Sequence, residues 1–329
     1  MSTQAPLLEL RNLEITYRTD RGTVSAIDDV SLQIPIGASV GLVGESGSGK
    51  STIAMAIMRL LPPNAQVSGS IAMNGTELTS LSDRELSRNW RWRQMSMVFQ
   101  KSLSALSPVH RIGDQMHDVL RQHETQLSDS GRQARIDDVI GAVHLPQRVL
   151  RSYPFELSGG MMQRTMIALG LICNPPFVIF DEATTALDVI TQSQILTEIQ
   201  RLKQEFDLTT MVISHDVGVI NATTDTVAVL YAGQLMEVAL RKVFFASPQH
   251  PYSQALIGSV PRLSGTKGRI SGIPGSLPDL TDPPKGCRFA PRCPHANVDC
   301  LTEVPPLIQI EPGHLVRCTA FSMKTEVAS

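Results

Sequence analysis

The nine residues GESGSGKST, Gly44 through Thr52, constrain this chain most. They fit G-x-x-x-x-G-K-[ST] with Gly44, Gly49, Lys50 and Ser51, the pattern of a phosphate-binding loop. Such a loop has one workable setting, the turn between a buried strand and a helix, and the flanking sequence supplies both. Ser39–Val43 (SVGLV) reads as a buried strand. A stripe of Ile53, Ile57 and Leu60 then predicts a helix, stopped by Pro62-Pro63. Glycines at 44, 47 and 49 let backbone N–H groups of Glu45, Ser46 and Ser48 curl around phosphate oxygens where a Cβ would obstruct them. Lys50 offers a point charge to the β- and γ-phosphates; Ser51, with Thr52 beside it, offers a hydroxyl to Mg²⁺. The competing reading, a Gly/Ser-rich linker, leaves the strand and helix unexplained.

A phosphate loop alone leaves GTPases, kinases and motor ATPases open. The run Phe177–Glu182 (FVIFDE) narrows the choice, being a hydrophobic strand that ends in two acids. Asp181 is suited to the Mg²⁺ shell and Glu182 to polarising an attacking water as general base. Taken alone, the same residues read equally well as a buried strand ending in a charged turn.

Between these motifs lies Leu157–Arg164, LSGGMMQR, which resembles the signature of ATP-binding-cassette (ABC) ATPases. The remaining elements of that family occur in order. Tyr17 matches the aromatic stacked on adenine, and Gln100, in SMVFQ, matches the lid glutamine that reaches Mg²⁺ and the attacking water. Ala186-Leu187-Asp188 matches the loop that communicates across the dimer, and His215, in MVISHD, the switch histidine at the γ-phosphate. Singly, Tyr17 reads as an edge-strand aromatic, Gln100 as a surface amide and His215 as a strand-end histidine; their joint order carries the resemblance. Met161 replaces the usual glutamine of LSGGQ, and Ala183 the usual proline after the catalytic glutamate. Ser158, Gly159 and Gly160 are intact, so a competent signature is expected.

The resemblance implies an α/β fold: an ABC-type phosphate-loop ATPase with a RecA-like core, an antiparallel β subdomain and a helical subdomain. It also implies that the signature of one subunit closes over ATP held by the loop of another. One copy of each motif is present, so the chain is expected to pair with a second ABC ATPase, a paralogue being the arrangement common in this branch. The nucleotide-binding domain is placed at 6–245 with its helical part at about 101–172, where Ile136, Val139, Ile140 and Val143 share a stripe. The strands TTMVIS and TVAVLY, and a helix bearing Ile195, Ile199, Leu202 and Phe206, complete a mainly parallel sheet covered by helices.

A net charge of −2 gives no electrostatic case for nucleic-acid binding. The dense basic stretch Arg84–Arg93, interleaved with Trp90 and Trp92, reads as a solvated helix face or partner surface. No apolar run approaches the ~18 residues of a membrane helix. The N-terminus lacks a basic start and a hydrophobic stretch, so a cytosolic location is expected, at the inner face of the membrane through partners.

From about Ala246 the chain turns rich in Pro and Gly, and residues 246–329 form a C-terminal extension. The segments SPQHPY, IPG-x-x-P and CRFAPRCP resemble the oligopeptide/dipeptide branch of ABC importers, as do KSLSALSP after Gln100 and the Met of LSGGM. Four of the five cysteines, Cys287, Cys293, Cys300 and Cys318, fall within 32 residues. In a reducing compartment that clustering points to a metal site. The spacing C-x5-C-x6-C-x17-C lacks the paired CxxC of a zinc ribbon. The branch resemblance implies a [4Fe–4S] cluster, with zinc and unligated thiols as alternatives, and Lys285, Arg288 and Arg292 placed to offset its charge. Cys173 reads as a packing residue.

These readings converge on an ATPase subunit that powers peptide uptake, with two transmembrane permease subunits and an extracytoplasmic binding protein as partners and no nucleic acid. Nickel chelates or cationic antimicrobial peptides are alternative cargoes. A soluble ABC ATPase of repair or translation would show tandem cassettes, a coiled-coil insertion or basic surfaces, and a purely redox-sensing protein would not need Glu182 or the signature.

Overall fold

The computed structural model describes residues 5–99, 105–185, 187–259 and 272–320. Along the chain run β1 (Leu8–Thr19), β2 (Gly22–Ile34), β3 (Ser39–Val43), α1 (Lys50–Ile57), β4 (Ala65–Met73) and β5 (Thr76–Glu77). Then come β6 (Met95–Val98), α2 (Ile112–His123), α3 (Asp129–Ala142), α4 (Gly159–Leu171), β7 (Phe177–Asp181), α5 (Val189–Glu205) and β8 (Thr209–Ser214). The last stretch holds α6 (Val217–Thr223), β9 (Thr226–Tyr231), β10 (Gln234–Leu240), α7 (Arg241–Ala246), α8 (Pro251–Gly258), α9 (Val298–Thr302), β11 (Ile308–Glu311) and β12 (His314–Val316). Two compact units divide these elements: one takes the chain before Ile36, Ser39–Thr79 and the chain from Ile213 onward, the other Ile36–Ala38 and Ser80–Val212.

In the first unit β2, β1, β4 and β5 make an antiparallel sheet in that order. The alternation of LLELRNLEITY is present but changes phase. Leu8 and Leu10 are buried, then Leu13 and Ile15, with the register slipping between Leu10 and Leu13 and Asn12 at φ 45°. That bulge keeps both apolar pairs on the core face. A second set of strands runs β11-β12-β10-β9-β3, with β3 and β9 parallel and β10 antiparallel to both β9 and β12. The C-terminal extension thus donates β11 and β12 to this unit. Its other anchor is Glu237 of β10, fully buried, which accepts from the backbone N–H groups of Gln249 (2.9 Å) and His250 (2.8 Å) and contacts His314 Nε2 at 2.8 Å.

The helix after the phosphate loop is shorter than its hydrophobic stripe suggests. α1 stops at Ile57, well before Pro62, because Arg59 takes φ 53° and the N–H of Leu60 turns back to the Met55 carbonyl at 2.8 Å. The Arg59 guanidinium repays that left-handed turn by binding the Leu78 and Thr79 carbonyls at 2.9 and 2.6 Å.

In the second unit β8, β7 and β6 lie side by side, β6 and β7 parallel, and α2 to α5 supply the helical mass. The predicted stripes supply its core: Ile136, Val139, Ile140 and Val143 on and just beyond α3, and Ile195, Ile199 and Leu202 on α5, are buried, while Phe206, predicted to join the second stripe, lies just past α5 and is half-buried. The basic stretch 84–93 is a helical turn, a π-helix over Leu86–Trp90 and a short irregular run, with Arg84 and Arg88 exposed, Leu86 buried and both tryptophans half-buried. Cys173 lies just past α4, and burial pushes its thiol up to about 12, which makes it an inert packing residue. Among the described residues no helix is long and apolar enough to cross a membrane.

Candidate functional site

The phosphate loop connects β3 to α1, and the structure gives its glycines physical reasons. A Cβ on Gly44 would sit 2.0 Å from the Leu230 carbonyl oxygen, and one on Gly49 2.6 Å from Ile27 Cδ1. Gly47 and Gly49 also hold φ of 83° and 105°, a region that glycine enters without cost. The loop's shape is kept by Ser48 N–H to the Glu45 carbonyl (3.2 Å) and Gly233 N–H to the Ser48 carbonyl (2.8 Å). Lys50 is buried, and its Nζ donates to the carbonyls of Gly44 and Glu45, both at 2.8 Å. Gly49 caps α1 without a side-chain hydrogen bond, and no acidic residue occupies the first turn. A helix start so prepared favours an anion. Ser51 is exposed and Thr52 half-buried beside it. Tyr17 is half-buried near the end of β1, opposite Val24 and Ala65, and His215 is exposed directly after β8; both belong to the same unit as the loop.

The second unit carries the acids and the signature. Asp181 is the buried last residue of β7. Glu182 follows it at φ 47°, a conformation that costs a non-glycine residue about 1–3 kcal/mol and is concentrated at functional sites. Its Oε2 accepts from Thr185 Oγ1 at 3.1 Å. Ser158 is the N-cap of α4, its Oγ accepting a long bond from Met161 N–H (3.4 Å), and Ser158 and Gly159 are exposed. A Cβ on Gly159 would touch Leu187 Cδ2 at 3.5 Å, so the signature and the 187–188 segment are neighbours. Asp188 has a structural duty as well: it caps α5, accepting from Ile190 and Thr191 N–H and from Thr191 Oγ1 at 3.1, 2.9 and 2.6 Å. The Thr191 hydroxyl bond leads the effects that hold its carboxyl below the usual range. Gln100 and Ala186 lie outside the described residues.

In the extension, Cys287, Cys293, Cys300 and Cys318 all line one cavity of about 310 Å³, together with Phe289 and His295. Burial raises Cys287 to about 11 and pushes Cys293 and Cys318 up. No three His, Cys, Asp or Glu side chains among the described residues are grouped to hold a metal ion. The arginines expected to balance thiolate charge are engaged elsewhere. Arg288 pairs with Asp28 at 2.7 Å, Arg292 with Glu45 at 3.1 Å, and Arg317, which the sequence did not single out, with Asp29 at 3.1 Å.

Two family descriptions match, "ABC transporter" over residues 27–185 and "Oligopeptide/dipeptide transporter, C-terminal region" over 236–300. The oligopeptide transport ATP-binding protein OppD of Salmonella typhimurium is 42% identical over 324 residues, 96% of each chain. The chain belongs to the ABC transporter family, in its oligopeptide/dipeptide branch. The dipeptide transport ATP-binding protein DppD of Bacillus subtilis is 40% identical over 326 residues, 98% of this chain and 97% of that one. Among solved structures, the dimeric ATP-binding cassette MJ0796 with ADP and Pi matches at a TM-score of 0.64 and 28% identity, covering 71% of this chain and 98% of that one. The family's cassette fold and its ATPase activity follow from this membership, and ATP with Mg²⁺ are the expected ligands.

Proposed function

We propose that the chain is the ATP-hydrolysing subunit of a peptide importer, bound to the cytoplasmic face of the membrane through two permease subunits and fed by an extracytoplasmic binding protein. The observation that carries this reading is that likeness to peptide-transport ATP-binding proteins covers 96–98% of the chain and reaches into the extension. Residues 6–245 serve as the nucleotide-binding domain and 246–329 as the branch-specific extension. Lys50 and the loop N–H groups hold the β- and γ-phosphates, and Tyr17 stacks on adenine. Glu182 takes the proton of the attacking water, while His215 and Gln100 sense the γ-phosphate and the water. Ser51 is assigned a hydroxyl contact to Mg²⁺ and Asp181 a role in the ion's water shell; Mg²⁺ needs only one or two protein oxygens besides phosphate and water, and would neutralise charge on the phosphates when bound. Exposure of Ser158 and Gly159 at the start of α4 supports their action in trans on ATP held by a paralogous second ATPase, with Asp188 beside them.

Purifying the tagged chain from its native membranes in mild detergent tests this directly. Two multi-span subunits, a second ATPase and a peptide-binding protein are expected by mass spectrometry. Recovery of soluble partners alone would leave the ATPase chemistry and remove the transport role.

The extension is assigned a [4Fe–4S] cluster on Cys287, Cys293, Cys300 and Cys318. A single zinc ion requires four sulfurs converging at about 2.3 Å from one point. The four thiols line one cavity of about 310 Å³, and cysteine thiolates are the ordinary ligands of an iron–sulfur cluster. Bound there, the cluster would cross-link the extension through four thiolates. Anaerobic reconstitution of the full chain is expected to load about four irons and four sulfides per chain. Cys300→Ser should lose most of that iron, and zinc in the anaerobically isolated protein would displace the assignment.

A further inference from the structure

Three of the four clustered cysteines have an arginine next to them in sequence, and each arginine reaches a carboxylate of the cassette. Arg288 follows Cys287 and goes to Asp28; Arg317 precedes Cys318 and goes to Asp29. Both acids lie on β2. Arg292 precedes Cys293 and goes to Glu45, the second residue of the phosphate loop.

The Arg292 side chain is only 5% exposed and fully engaged. Its Nη1 donates to both Glu45 carboxylate oxygens at 3.1 Å and to Tyr231 Oη at 3.3 Å. Nε and Nη2 bind the carbonyls of Pro274 (2.7 Å) and Ile273 (3.2 Å), so the arginine is itself clamped within the extension. The backbone of Glu45 is fixed from the same side, because its N–H donates to Tyr252 Oη at 2.9 Å. Tyr252 is held in turn by edge contact with Tyr231 and by His250, whose buried Nδ1 accepts from Tyr252 N–H at 3.0 Å. Leu277 stands over the loop's crest, where a Cβ on Gly47 would meet its Cδ1 at 3.4 Å. Lys50 Nζ holds the Gly44 and Glu45 carbonyls of this limb, while the Glu45 carboxylate and N–H are held by residues outside the cassette motifs.

Resting on the reading of Gly44–Thr52 as the nucleotide loop, we infer that Arg292 is a positioning residue for ATP: with Tyr252 it fixes Glu45, so the cysteine-bearing extension sets nucleotide affinity. A phosphate cradle works by holding its N–H groups in place before the ligand arrives, and a loop released at Glu45 must be ordered at the expense of binding. The chemistry that breaks the γ-phosphate bond uses other residues, so affinity changes and turnover does not.

The test uses the full chain in its assembled complex, with a fluorescent ATP analogue for Kd and phosphate release for KM and kcat. Arg292→Ala is expected to raise Kd and KM about tenfold, the worth of one charge-assisted contact, with kcat within about twofold. Arg292→Lys should recover part of the loss, and adding Glu45→Gln to Arg292→Ala should cost no more than either change alone. Arg288→Ala, which breaks the Asp28 pair instead, should lower the melting temperature without moving KM. Unchanged Kd in Arg292→Ala, additive losses in the double variant, or an equal KM rise in Arg288→Ala would each overturn the inference. Where Arg292→Ala does not fold, Tyr252→Phe decides, with about threefold weaker binding expected for loss of its one hydroxyl contact. Failure of the unaltered protein to bind the analogue would instead sink the nucleotide-loop reading on which the inference rests.

Discussion

Glu182→Gln is expected to lower ATP turnover by about a hundredfold or more while ATP still binds and the ATPase pair still closes on it. The position is built for a carboxylate that keeps its place. Glu182 directly follows the β7 strand whose five residues are all buried, so its backbone is set by the sheet. Its φ of 47° turns the chain sharply, and the Thr185 N–H returns to its carbonyl at 3.0 Å, closing the turn. Glutamine has the same length and can accept the Thr185 hydroxyl bond through its amide oxygen, so the turn and the fold survive. What glutamine cannot do is take a proton from water, which is worth about 10²–10⁴ in rate for a positioned base. Phosphate release measured beside analogue binding separates the two effects. Hydrolysis at the level of the unaltered protein would remove Glu182 from its assigned role, and loss of binding would mean that it shapes the nucleotide pocket instead.

The elements around that chemistry were legible because their signals are local. SVGLV, the loop and the first turns of α1 occupy nineteen consecutive residues, and FVIFDE carries its own strand and its own acids. What escaped the sequence depends on partners far away along the chain. Leu60 continues the apolar stripe of α1, yet the helix ends earlier because Arg59 finds the carbonyls of Leu78 and Thr79. Arg292 reads as a cation beside a cysteine, and only the fold brings it to a glutamate 247 residues upstream. Arg288 and Arg317 behave the same way, at separations of 260 and 288 residues. A pattern was nevertheless available: an arginine adjoins Cys287, Cys293 and Cys318 in turn, a regularity that charge balance alone did not require to point outward. Asp188 shows the opposite case. Its motif position suggested a contact across a dimer, and within the chain its carboxylate caps α5 through three hydrogen bonds.

Lys50→Ala should weaken ATP binding by about a hundredfold, more than any change in the extension, because it removes a buried cation and its charge-assisted bonds to phosphate, each worth about 1.5–3 kcal/mol. The loop itself should persist. It loses the lysine's bonds to the Gly44 and Glu45 carbonyls but keeps Gly233 N–H on the Ser48 carbonyl and Tyr252 Oη on the Glu45 N–H. The melting temperature without nucleotide is therefore expected to fall modestly, and the larger difference appears on adding ATP. At a concentration one hundred times the normal Kd, ATP stabilises the unaltered protein by about 2.7 kcal/mol. With Kd raised a hundredfold the same concentration only half-saturates the site, and the stabilisation falls to about 0.4 kcal/mol. A thermal shift that collapses in Lys50→Ala but is only reduced in Arg292→Ala would rank the two contacts as charge on the phosphate and shape of the cradle. A full ATP-induced shift in Lys50→Ala would place the phosphates somewhere other than this loop.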